Sequence, residues 1–130
     1  LAPKATVTIK KPSIPNILLV QHDPKARNDL SSVLRRNSFL PVAVENCTHA
    51  LYLLENETFS ALLIVDQLVD LTPVELIMLS LQIAPELKVF YIDGGYNDED
   101  RKIILGLGAC DYLENSSNRN LIINALKKHL

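Results

Sequence analysis

Residues 61–66 read Ala-Leu-Leu-Ile-Val-Asp, five apolar side chains in a row closed by a carboxylate. A strand with one wet face alternates apolar and polar positions. A strand with no polar position is covered on both faces, as in a parallel sheet with helices above and below. The run therefore predicts an inner strand over Ala61–Val65 with Asp66 at its carboxyl end.

Reading outward, further short apolar runs predict strands at Ile17–Val20, Val42–Glu45, Val89–Ile92 and Asp111–Leu113, with helix-period segments between them. This is the pattern of βα units around a parallel sheet. Five such units with right-handed crossovers give an α/β fold, an open doubly wound five-stranded sheet with helices on both faces. The helix starts are chemically marked. Asp23-Pro24 pairs an N-cap with proline at the first helical position, and Thr72-Pro73 with Glu75 adds a capping box. Asn97 precedes three acids, Asp98 to Asp100, which suit the positive end of a helix dipole, and Ser117 or Asn118 is the expected start of a last helix that ends in Lys127 and Lys128.

The 130 residues amount to one domain, and 48% hydrophobic with 22% charged residues is an ordinary globular balance. No apolar run approaches the roughly 20 residues of a membrane helix. Thirteen basic against fifteen acidic side chains leave a net charge of -2, without the basic excess of a nucleic-acid binder. Residues 1–15 carry three prolines, three lysines and no acid, and read as a leader or linker before a domain at 16–130. Ala5–Ile9 alternates like an additional edge strand. The opening lacks an initiator methionine and a secretory core, which implies excision from a longer chain. Cys47 and Cys110 are isolated, so a reducing, cytoplasmic setting is expected, with neither a disulfide nor a zinc framework.

Doubly wound sheets carry their working residues beyond the carboxyl ends of the strands. Here those are Gln21, His22 and Asp23, then Asp66, then Asp93 with Gly94 and Gly95, then Glu114 and Asn115. Asp23 reads as a helix cap before it reads as a metal ligand. No Ser-His-Asp or Cys-His set is visible, so no enzyme activity is expected.

In order and spacing, these residues resemble the receiver domain of bacterial response regulators from about Asn16 to Leu130. Asn16–Val20 with Asp23-Pro24 and Arg27 looks like its first strand and helix, and Ala61–Val65 with Asp66 looks like the strand bearing the phosphoacceptor. Glu75-Leu76 matches the opening of its third helix, and Gly108-Ala109-Cys110-Asp111-Tyr112-Leu113 matches its Gly-Ala-x-Asp-Tyr-Leu run. The resemblance implies a flavodoxin-like strand order 2-1-3-4-5, phosphoryl transfer to Asp66 assisted by magnesium, and Tyr112 as the aromatic that reports phosphorylation by moving between exposed and buried positions.

The chemistry the family needs is mostly replaced. Gln21 and His22 stand where receivers have two acids, Asp93 where they have Thr or Ser, and Asn115-Ser116 where they have Lys-Pro. Val69 and Asp70 stand in for the pairs that follow the phosphoacceptor. At about 4 Å and an effective dielectric near 20, one charge pair is worth roughly 4 kcal/mol. Losing the lysine and adding Asp93 each weigh on that scale against an aspartyl phosphate. The expectation is a degenerate receiver, a phosphorylation-independent interaction module of a two-component or phosphorelay protein. Its partner is a protein or a linked effector or kinase domain, with a homodimer as a further possibility and no nucleic acid or membrane. By resemblance its contact surface is the face around Arg101, Ile104, Tyr112, Arg119 and Lys127. Two alternatives stand beside it. One is a working receiver in which Asp23, Asp66 and Asp93 hold a divalent ion, and the other a transition-metal sensor built on His22 and those carboxylates.

Overall fold

The computed structural model describes residues 14–115 and 118–130. The expected leader (through Ser13), the alternating Ala5–Ile9 and the positions Ser116 and Ser117 lie outside the described residues. Among the described residues ten elements alternate: β1 (Asn16–Val20), α1 (Pro24–Arg36), β2 (Leu40–Val44), α2 (Cys47–Asn56), β3 (Ala61–Val65), α3 (Pro73–Ile83), β4 (Lys88–Asp93), α4 (Asp98–Gly106), β5 (Asp111–Glu114) and α5 (Asn120–His129). The strands form one parallel sheet in the order β2-β1-β3-β4-β5.

Strand periodicity divides the core into two layers. Leu18, Val20, Leu62, Ile64, Val89, Tyr91 and Tyr112 face a cluster completed by α2, α3 and α4. Ile17, Leu19, Leu63, Val65, Phe90 and Ile92 face the other, completed by α1 and α5. All five residues of β3 are buried, as their composition requires. Each buried aliphatic side chain contributes about 1.5–3 kcal/mol relative to exposure, so these two layers carry most of the stability.

The caps set where the helices start and hence which residues remain at the sheet's carboxyl edge. Asp23 Oδ2 accepts the Ala26 N–H at 2.8 Å, and Pro24 begins α1. Thr72 and Glu75 form the reciprocal capping box of α3, at 3.1 and 2.9 Å. Asn97 Oδ1 accepts the Asp100 N–H at 2.8 Å at the start of α4. The last helix starts later than its sequence suggests. Arg119 is the N-cap of α5 without a side-chain cap, and Asn118 Oδ1 accepts the Asn120 N–H at 3.1 Å just ahead of the helix.

The turn into β5 requires glycine at position 108. Its φ is +112°, and a Cβ there would lie 3.1 Å from Leu81 Cδ1. The Gly-Ala pair that carried part of the resemblance is thus a backbone requirement of the α4–β5 connection.

Candidate functional site

At the carboxyl edge, β3 and β4 bring two carboxylates together, and each is held by a tyrosine. Asp66 follows β3 and is half-buried, and the Tyr91 hydroxyl donates to its Oδ1 at 3.2 Å. Asp93 closes β4 and is 7% exposed. Its Oδ2 accepts a short hydrogen bond from the Tyr112 hydroxyl, and its Oδ1 accepts the Gly95 N–H at 2.9 Å. Parallel pairing sets Tyr91 beside Tyr112, with ring centroids 5.7 Å apart, and Tyr96 packs against Tyr112 at 4.9 Å. Tyr112 is buried at 2% exposure.

The electrostatics follow from this packing. Burial pushes the Asp66 carboxyl above the usual range; the Tyr91 hydrogen bond pulls it down and the neighbouring Asp93 charge pushes it up again. Burial first, and then the adjoining carboxylates, raise both Tyr91 and Tyr112 well above an ordinary phenol. Both tyrosines therefore remain hydrogen-bond donors at neutral pH.

The β1 side of the site is occupied by its own loop. Gln21 is buried, its Oε1 accepts the Asp23 N–H at 3.0 Å, and the Arg27 guanidinium bonds the Gln21 and His22 carbonyls at 3.0 and 3.1 Å. His22 points into solvent. Among the described residues no three His, Cys, Asp or Glu side chains assemble into a group that could hold a metal. The trio Asp23, Asp66 and Asp93 does not converge into such a group; Asp23 Oδ2 caps α1 instead. Nor does His22 with these carboxylates. With Gln21 and His22 in place of two acids, this edge offers magnesium two fewer carboxylates, a neutral amide oxygen already accepting the Asp23 N–H and an imidazole nitrogen where hard oxygen ligands are preferred. Asn115 donates its backbone N–H to the Asp93 carbonyl at 3.0 Å, and its side chain is exposed.

No protein-family model matches the sequence, and no curated protein matches it. Solved structures do. A CheY-like response regulator receiver domain from Methanospirillum hungatei JF-1 superposes with a TM-score of 0.82 at 22% identity, over 89% of this chain and 93% of that one. The chemotaxis response regulator CheY4 of Vibrio cholerae gives 0.83 at 14% identity, over 91% and 100%. The chain has the receiver fold. A third neighbour, the response regulator TrrA from Thermotoga maritima in complex with Mg(2+)-BeF, gives 0.80 at 18% identity over 89% and 99%.

On this receiver fold the surface expected from the sequence is only partly a surface. Arg101 and Lys127 are exposed and Arg119 is half-buried, but Ile104 and Tyr112 are buried. The correction is one of helical phase: Ile104 packs against the sheet, and Ile103, 52% exposed, points outward in its place. Tyr96, just before α4, and Leu121, in the first turn of α5, are also exposed.

The sequence does not reveal the roles of two contributors. Tyr91 lies two residues before Asp93 and therefore on the same strand face, a period-two signal that was available. Asp70 crosses from the β3–α3 loop to accept the Cys47 and Thr48 N–H groups at 2.9 Å each and the Thr48 hydroxyl at 2.8 Å. Burial raises the Asp70 carboxyl, but these hydrogen bonds outweigh it and hold the group well below the usual range. It is thus the position replacing a family motif that fastens α2 to the loop. Away from the site, His129 at the end of α5 packs edge-on against Phe90 at 5.6 Å.

Proposed function

We propose that the chain is a receiver-like signalling module that works by protein contact and does not depend on phosphorylation of Asp66. One observation carries this reading: Tyr112 is already buried, and the residue that holds it is Asp93, at the position where a receiver has the hydroxyl that would meet a phosphoryl group. A buried carboxylate in that place does two things. It supplies the acceptor that fixes the aromatic inward, and it sets a negative charge beside Asp66, where an aspartyl phosphate would add more.

The remaining substitutions point the same way. Asn115 brings no positive charge where receivers have lysine, and Gln21 and Asp23 are committed to the β1–α1 loop. Such a domain presents one conformation of its fourth and fifth helices continuously, to a protein partner or to a linked effector or kinase domain in the cytoplasm. The exposed Arg101, Ile103, Leu121 and Lys127 form the contact face in this reading.

The test is incubation with acetyl phosphate and magnesium, followed by intact-mass measurement. The reading expects no phosphate adduct on the wild-type chain. An adduct absent from Asp66→Asn would replace this reading with a divergent phosphoacceptor.

A further inference from the structure

Beside the carboxylate–tyrosine pairs, a cleft of about 220 Å³ opens between the start of α3 and α4. Its walls are apolar, with Pro73 and Val74 on one side and Ile103 and Ile104 on the other. Its polar lining is Tyr91, Asp93 and Asp100, and no basic side chain lines it. The single ion pair among the described residues, Lys25 with Asp29, lies on α1, so neither lining carboxylate has a described cationic partner.

We propose that this cleft receives one aliphatic cation, the guanidinium or ammonium of an arginine or lysine side chain presented by a protein partner. The occupant follows from the chemistry of the lining. Long basic side chains lay their methylene stems along apolar surface and extend a charged head. Here the stem would run between Val74 and Ile103, and the head would meet Asp93 and Asp100. The volume is below the roughly 300 Å³ at which drug-sized ligand pockets begin, so it suits one side chain. Three metal-ligating side chains do not converge there among the described residues.

The inference rests on the reading that no phosphoryl group forms at Asp66, and it gives that reading an input. In the receivers this chain resembles, a lysine and a hydroxyl favour an anion. Here Asn115 and Asp93 reverse the sign, so the same edge of the sheet attracts a cation. Asp93 is also the acceptor that holds Tyr112, so occupancy of the cleft bears directly on the aromatic that packs in the same layer as α4.

The probe is N-acetyl-arginine amide, titrated into the intact 130-residue chain while backbone amide shifts are followed, with the citrulline analogue as an uncharged control of the same shape. Saturable shifts at Asp93, Gly95, Asp100 and Ile103 with low-millimolar affinity are expected, with a response at Tyr112. Citrulline is expected to bind at least tenfold more weakly. Asp100→Asn, which keeps an oxygen to accept from Asn97, is expected to weaken arginine binding at least fivefold while leaving the fold intact. Equal binding of citrulline, unchanged affinity in Asp100→Asn, or linear shifts spread over Asp29, Asp98 and Glu99 would overturn the proposal. The acetyl phosphate experiment separates the two claims. A phosphate adduct alongside intact arginine binding removes only the phosphorylation-independent reading, whereas no adduct and no arginine binding removes only the cation site.

Discussion

Replacing Tyr112 with phenylalanine deletes one oxygen and leaves the ring against Tyr91 and Tyr96. Asp93 then keeps only the Gly95 N–H, while its side chain stays almost wholly out of water. A hydrogen bond to a charged group contributes about 1.5–3 kcal/mol, and losing one partner of a buried group brings out the larger part of that range. The expected loss is about 2 kcal/mol at pH 7. For a domain of this size that lowers Tm by roughly 6–10 °C. Tyr91→Phe is the internal control: its hydroxyl reaches the half-buried Asp66 at 3.2 Å, and its loss is expected to cost less than half as much. Urea unfolding of the two single mutants, with Asp93→Asn and the Tyr112→Phe/Asp93→Asn double mutant, isolates the pair. A coupling energy of about 1–2 kcal/mol is expected. If Tyr112→Phe lies within 0.5 kcal/mol of wild type, or matches Tyr91→Phe, then Asp93 does not hold Tyr112 in the way described.

Three further outcomes follow from the geometry. Asp66 has a raised pKa, so its ionisation opposes folding above the ordinary carboxylate range; Asp66→Asn is expected to be more stable than wild type at pH 7, with the advantage fading as pH falls towards about 4, and a destabilised variant at pH 7 would refute this. Asp70 is the opposite case, with a depressed pKa whose stabilisation is present above about pH 4 and is lost as pH falls through its folded value; Asp70→Ala is expected to cost about 1–2 kcal/mol at pH 7 and progressively less in acid, read by thermal melts across pH. Gly108→Ala is expected to cost about 1–3 kcal/mol from its positive φ and the contact with Leu81, and an unchanged denaturation midpoint would show that the α4–β5 turn relaxes freely.

The fold was legible because β3 leaves no choice. Five apolar residues followed by an acid admit only an inner strand, and the proline-marked caps at Asp23 and Thr72 fixed where chain leaves the sheet. The start of α5 was less legible because no side chain caps it at Arg119, so the sequence carries no strong signal there. In the site, the resemblance pointed to Asp66, Asp93 and Tyr112, but it could not show that Asp93 and Tyr112 bond each other. That contact depends on the pairing of β4 with β5, which sequence spacing does not reveal. The sequence presents Asp93 as a charge repelling a phosphate or as a metal ligand, whereas in the structure it is also the acceptor that buries an aromatic. Asp70 was invisible for the same reason: its partners at Cys47 and Thr48 are more than twenty positions away. Ile104 failed as a surface residue because one step around a helix, about 100° of rotation, separates a core position from an exposed one.

The most direct test of the central claim is an amide chemical-shift titration with magnesium and then beryllofluoride, following Gln21 to Asp23, Asp66, Asp93 and Tyr112. No saturable response at Asp66 and no movement of Tyr112 are expected, because the acceptor that holds the ring inward is already part of the protein. Saturable shifts that begin at Asp66 and propagate to Tyr112 would contradict that claim and show a working phosphoacceptor switch.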